Sequence, residues 1–268
     1  MRVRPSQLRL VATDLDGTLL HSDGTITERT AATLEAVEAL GVTVVFVTGR
    51  PVRWMVDLWQ HVGEHGLAIC SNGGIVYDVP TRAVRIARPI RREVALEVAD
   101  LMRAAVPGTT FGVERISGFG REPGFMEQHA VPDDVKVGFL PELLDDVAVK
   151  MLARHEEMAP EAFWAETERV VGHLVTTTWS SLGALVEISA AGVTKASTLA
   201  LLCEELGVTA EEVVAFGDMP NDLAMLEWAG CSYAMSNGHP SVLELAGNTA
   251  PANVDDGVAK VLQELFGL

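Results

Sequence analysis

Several features of extracellular, membrane and nucleic-acid-binding proteins are scarce in this 268-residue chain. Cysteine occurs only three times, at Cys70, Cys203 and Cys231. An odd number with no zinc-ligand spacing excludes both a disulfide framework and a structural zinc site, and leaves reduced, buried thiols as the expectation. Lysine is rarer than arginine, 4 against 16. No lysine stands in a GxxxxGK[ST] loop, which removes the P-loop nucleotide class. Basic residues as a whole are outnumbered, 20 against 37 acidic, for a formal net charge of −17. Binding to nucleic acid or to an anionic bilayer needs a basic face, so neither is expected. The longest stretch free of Asp, Glu, Lys and Arg, residues 170–186, carries His173 and a run of threonines and serines, and reads as paired strands rather than a membrane span. The residues before Asp14 hold arginines but no apolar run of signal-peptide length. A cytoplasmic protein is therefore expected.

What is present is a globular composition, 48% apolar with 24 Gly and 12 Pro. The first segment alternates strand and helix signals. Leu8–Thr13 is an apolar strand, and Thr27–Leu40 is a helix stopped by Gly41. Thr43–Val47 (TVVFV) has the continuous β-branched character of a strand buried on both faces. Pro51 suits the first turn of a helix running through Trp54, Leu58 and Val62, and Leu67–Ser71 is a further strand. This alternation predicts a parallel sheet with helices on its faces. From about Tyr77 neighbouring strands and two helices, Arg91–Val106 and Pro160–Val171, predict an α+β unit. The alternation returns with a helix at Thr194–Leu206, a strand at Glu212–Phe216, a helix at Pro220–Trp228 and a strand at Cys231–Met235. The fold class is thus α/β: a Rossmann-like core of residues 1–81 and 186–268, interrupted by an α+β domain at 82–185.

Four segments carry chemistry. Asp14-Leu15-Asp16-Gly17-Thr18 follows the first strand directly, at the edge where open α/β sheets bind ligands. Residues two apart on an extended segment point the same way, and two such carboxylates repel unless a cation intervenes. Mg²⁺ is commonly held by one or two carboxylates with several waters retained. The competing reading is an acidic turn in which Gly17 supplies a special backbone conformation. Gly217-Asp218-Met219-Pro220-Asn221-Asp222 follows a second strand; helix capping accounts for one of its acids but not for two plus an asparagine. Thr48-Gly49-Arg50 precedes a helix start, which is either a natural anion site or a plain β–α turn. Lys195 also opens a helix, an unfavourable place for a cation in the helix dipole.

In this order and form (DLDGT, VTGR, GVTK, GDMPND) the segments resemble the haloacid dehalogenase-like superfamily of phosphohydrolases. The likeness is to the Cof-type subfamily, which carries a type IIB cap between the second and third motifs. Asn72-Gly73-Gly74 and Asn253-Val254-Asp255-Asp256-Gly257-Val258-Ala259 fit as well. The resemblance covers both core segments and reaches the insertion only by position and size.

The resemblance implies a Mg²⁺-dependent phosphatase of small phosphorylated metabolites, monomeric or homodimeric. Asp14 would be the nucleophile and Asp16 the general acid and base. Asp14, the Asp16 carbonyl and Asp218 would hold the metal, with Asp222 a ligand or an orienting group. Thr48, Gly49 and Lys195 would clamp phosphate, and Asn221 would touch it or position Lys195. Arg50 would meet substrate or a carboxylate. A phosphomutase, or a silent metabolite-binding protein on the same core, would carry the same motifs. Gly118–Arg121 is expected to be a hairpin turn, His21 a solvated loop residue, Trp54 and Trp59 helix packing, and His239 without a role.

Overall fold

A computed structural model describes residues 7–61, 66–126, 135–144, 147–179 and 183–268. The chain opens with β1 (Leu10–Thr13), α1 (Glu28–Ala39), β2 (Thr43–Val47), β3 (Leu67–Cys70), β4 (Ile75–Asp78) and β5 (Ala83–Ala87). It continues through α2 (Arg92–Ala105), β6 (Thr110–Arg115), β7 (Gly118–Arg121), β8 (Lys136–Val137), α3 (Leu140–Leu143), β9 (Ala148–Arg154), α4 (Pro160–Val171), β10 (Val175–Thr178) and β11 (Leu185–Ala190). It closes with α5 (Lys195–Leu206), β12 (Val213–Gly217), α6 (Leu223–Trp228), β13 (Cys231–Met235), α7 (Pro240–Leu245), β14 (Asn248–Ala250) and α8 (Gly257–Phe266).

Two compact units result, Met1–Ile86 with Thr194–Leu268, and Ala87–Val193. The first is built on an eight-stranded sheet of order β14-β13-β12-β1-β2-β3-β4-β5. Its six strands from β14 to β3 pair in parallel, and β4 returns antiparallel. Every residue of β1, β2 and β12 is buried, as strands covered on both faces must be. Their core includes Leu10, Val45, Ile69, Ala215 and, from the helices, Leu199 and Leu226.

The second unit carries a six-stranded sheet of order β10-β11-β9-β6-β7-β8, antiparallel except for β7 with β8. Ala95, Val98, Ala99 and Met102 form the buried stripe of α2, at the three- and four-residue spacing of one helix face. They join Phe111, Met151, Phe163 and Ile188 in a separate core.

The unit boundaries fall at 86/87 and 193/194, where the sequence suggested 81/82 and 185/186. Pairing explains the shift. β5 is still the edge of the first sheet, and β11 pairs with β9 and β10 in the second. The segment after Pro51 forms two 3₁₀ turns, Val52–Trp54 and Val56–His61, instead of an α-helix; Val62 lies outside the described residues. Trp59 stacks on Tyr77 of β4 at 5.3 Å between ring centroids. Gly118–Arg121 is itself β7 rather than a turn. No helix among the described residues is long and apolar enough to cross a membrane.

Candidate active site

The register of the first sheet decides what converges. Thr13 lies opposite both Phe216 of β12 and Phe46 of β2, and the Asp14 N–H donates to the Phe216 carbonyl at 3.0 Å. The residues just beyond these strands, Asp14, Asp218 and Thr48, therefore share the carboxyl edge of the sheet. A fourth group arrives on α5. Thr194 caps that helix, its Oγ1 accepting from the Ser197 N–H while Ser197 Oγ accepts from the Thr194 N–H, both at 3.0 Å. The cap fixes Lys195 as the first helical residue.

Lys195 is 1% exposed. Its Nζ donates to Asp14 Oδ1 and to Asp222 Oδ1, each at 2.7 Å. The second oxygen of Asp222 accepts from the backbone N–H groups of Asp218 (3.1 Å) and Met219 (3.0 Å). Thr18 Oγ1 donates to Asp218 Oδ1 at 2.7 Å. Gly17 has φ +79°, and a Cβ there would lie 2.3 Å from Asp218 Oδ2, so both conformation and space demand glycine. Oxygens of Asp14, Asp218 and Asp222 lie within 4.8 Å of one another.

Three buried carboxylates against one ammonium leave the acids under-compensated. Burial raises the Asp14 carboxyl well above the usual range; Lys195 opposes this, while Asp222 and Asp218 reinforce it. Burial, then Asp222, pushes Asp218 up to about 6. Burial alone would lower the Lys195 ammonium, but Asp14 and Asp222 outweigh it and raise its pKa, so it stays charged.

The other expected residues surround this cluster. Asp16 stands outside the buried trio, its carboxylate exposed and held by Arg50 through both oxygens: Nε to Oδ2 at 2.7 Å and Nη2 to Oδ1 at 2.6 Å. Arg50 thus meets a carboxylate. Thr48 is buried, and its Oγ1 accepts from the Arg50 N–H at 3.0 Å. Gly49 sits between them, partly exposed. Asn221 reaches neither Asp14 nor Lys195. Its Nδ2 donates to Asn72 Oδ1 at 3.1 Å, and its Oδ1 is buried with no hydrogen-bond partner among the described residues. The turn carrying Asn72 is laced onto the Thr48–Arg50 loop, because the Asn72 N–H donates to the Thr48 carbonyl and the Ser71 N–H to the Arg50 carbonyl, both at 3.0 Å. Ser71 and Asn72 both have positive φ, 53° and 54°, a conformation that non-glycine residues hold at a cost beside functional sites.

A profile of haloacid dehalogenase-like hydrolases matches residues 11–262. The chain belongs to this family. It is 30% identical to the 5-amino-6-(5-phospho-D-ribitylamino)uracil phosphatase YitU of Bacillus subtilis, over 97% of this chain and 98% of that one. It is 27% identical to the pyridoxal phosphate phosphatase YbhA of Escherichia coli, over 95% and 97%. Its fold matches that of the subclass IIB sugar phosphatase BT4131 with a TM-score of 0.76 at 20% identity, over 97% and 99% of the two chains. The protein is a Cof-type phosphomonoester hydrolase of the haloacid dehalogenase-like family.

The carboxylate cluster fits the divalent cation that such hydrolases use. Oxygens of Asp14 and Asp218 lie within 4.8 Å of each other although both are acids, an arrangement that a cation between them would turn from repulsive to favourable. Asp14 Oδ2 and Asp218 Oδ2 remain for it. Asp222 belongs to the same cluster, its Oδ1 bonded to Lys195 and its Oδ2 to two backbone N–H groups.

Two participants escaped the sequence reading as individuals. Thr18 was visible only as part of DLDGT. Asn72, from a quoted motif without an assigned role, is the partner of Asn221. His21 is not a free loop residue, since its Nε2 lies 3.0 Å from Asp256 Oδ1. His239 caps α7 through Nδ1, which accepts from the Ser241 N–H at 3.3 Å. None of Cys70, Cys203 and Cys231 is in a disulfide; burial pushes Cys203 up to about 11, away from reactivity.

Proposed function

We propose that this hydrolase cleaves small phosphate monoesters through an aspartyl-phosphate on Asp14, with Mg²⁺ as its metal. One observation carries the reading: a buried lysine bridges Asp14 and Asp222 while Asp218 stands beside them at the strand edge. The bond from Lys195 to Oδ1 orients the Asp14 carboxylate, and one oxygen of that carboxylate is the attacking atom. That oxygen forms the bond to phosphorus as the bond to the leaving alkoxide breaks, and Asp16 delivers a proton to the alkoxide. A water then attacks the aspartyl-phosphate, gives its proton to Asp16, and releases inorganic phosphate and the Asp14 carboxylate.

Lys195 and the Thr48–Gly49 loop stabilise the charge on the transferring oxygens. Asp222 orients Lys195 and clamps the Asp218 backbone. Asp14, Asp218 and the Asp16 carbonyl would hold the metal, which when bound would supply charge neutralisation on the phosphoryl group. Asp16 must be released from Arg50 to carry a proton, so Arg50 tunes the acid–base step. The inserted domain serves as the cap. The relatives' names, a ribitylaminouracil phosphate phosphatase and a pyridoxal phosphate phosphatase, favour a small metabolite as the alcohol.

The test is phosphate release from a panel of such esters with Mg²⁺, for wild type and Asp14→Asn. The variant should lose about 10⁴-fold or more in kcat, and mass spectrometry of quenched wild type should show phosphate on Asp14. Release that survives Asp14→Asn would remove the assignment.

A further inference from the structure

The segment Asn253–Ala259 takes no part in the carboxylate–lysine cluster. Its contacts go to the loop that carries Asp16. Asn253 is buried. Its Nδ2 donates to the Leu20 carbonyl at 2.7 Å, and its backbone N–H donates to Asn237 Oδ1 at 3.0 Å. Asn237 in turn donates from Nδ2 to the Gly17 carbonyl at 2.8 Å. One residue past Asn237, a Cβ on Gly238 would lie 3.1 Å from the Asp218 carbonyl, which also accepts from the His239 N–H at 2.8 Å. The two asparagines therefore form a strut between the far end of the sheet and the loop after β1.

The loop needs such a strut. Its own backbone bonds converge on one acceptor, the Leu15 carbonyl, which takes the N–H groups of Thr18, Leu19 and Leu20. The carbonyls of Gly17 and Leu20 in that turn accept from the two asparagine side chains, which tie it from outside. Leu20 is bridged to Asp16, so fixing Leu20 fixes the backbone from which the Asp16 carboxylate projects. Only an amide does this at position 253. Aspartate would set a carboxylate against the Leu20 carbonyl, and alanine would remove the side-chain donor that ties it to Asn253.

We infer that Asn253, braced by Asn237, is a positioning residue for the proton-transfer carboxylate of Asp16. The inference rests on the reading of Asp16 as general acid. It predicts a loss that depends on the leaving group, because an alkoxide needs a proton as it departs and p-nitrophenolate does not. kcat/KM reports the steps up to that departure.

The experiment compares kcat/KM for a simple alkyl phosphate and for p-nitrophenyl phosphate, with Mg²⁺, in wild type, Asn253→Ala, Asn237→Ala and Asp16→Asn, each with a thermal melt. Asn253→Ala should lose about tenfold or more on the alkyl ester relative to the aryl ester. Asn237→Ala should lose in the same direction by less, since its bond is solvent-exposed. If Asn253→Ala does not fold, Asn237→Ala carries the test. Equal losses on the two esters in both asparagine variants, with a selective loss in Asp16→Asn, would overturn the strut and leave the acid role standing. Equal losses in Asp16→Asn itself would overturn the acid role, and the strut's purpose with it.

Discussion

Lys195 is placed where an ammonium should not be, buried and at a helix N-terminus whose dipole repels it. Asp14 and Asp222 make the placement tolerable, so the three act as a unit. Asp222→Asn tests this. The substitution keeps an oxygen for one partner only: either Lys195 loses its acceptor, or the N–H groups of Asp218 and Met219 face an amide N–H₂. The expected result is a fall in kcat of about 10²-fold and a stability loss of about 3 kcal/mol by urea unfolding, the upper end for bonds to a charged group. A variant with wild-type kcat would show that Asp222 does not hold Lys195 in place. These residues were legible from their types and from the strands preceding them. Asn221 was legible only as a polar residue in the right loop. Its partner Asn72 lies 149 positions away, and the choice between a phosphate, Lys195 and another amide depends on side-chain packing that no spacing encodes.

At the scale of elements, the turn after β3 is pressed against the first turn of α5. Gly73 has φ +99°, and a Cβ there would stand 2.3 Å from the Thr194 carbonyl; Thr198 Oγ1 donates to the Gly73 carbonyl at 2.7 Å. Gly73→Ala should therefore displace the helix start that carries Lys195. We expect a cost above the roughly 1–3 kcal/mol of backbone strain alone, together with a fall in kcat. Gly41→Ala is the comparison: φ is +82° but a Cβ there meets nothing within 4 Å, so it should cost stability and leave kcat unchanged. Matching kcat values in the two variants would remove the packing argument. The strands around the site were readable because β2 and β12 are continuous apolar runs buried throughout. Two elements misled. Gly118–Arg121 has turn-like composition but is recruited as β7 by pairing with β6, from Gly112↔Arg121 to Arg115↔Gly118. Val52–His61 has helical spacing but winds as 3₁₀ turns.

At the scale of the whole molecule, the acid cluster links folding to pH and to the cation. A carboxyl raised from 3.8 to about 6 by burial, as Asp218 is, binds its proton more tightly in the folded chain than in the unfolded one. The folded state thus gains from Asp218 below about pH 4, and that gain is lost as pH rises from about 4 to about 6; Asp14 acts in the same direction. A divalent cation between the carboxylates reverses the sign by favouring the ionised forms. Mg²⁺ should therefore raise Tm clearly at pH 7.5, by about 2.7 kcal/mol of stabilisation at a hundredfold excess over Kd, and much less at pH 5, where it competes with bound protons. The net charge of −17 offers a rival source for any cation effect, through relief of general repulsion. Asp218→Asn separates the two: it removes a proposed ligand but only one of the 37 acidic residues. Scanning calorimetry at constant ionic strength, with EDTA or Mg²⁺, should show the pH 7.5 shift in wild type and its loss in Asp218→Asn. A shift that persists in the variant, or equal shifts at both pH values, would place the cation effect on the surface and not in the cluster.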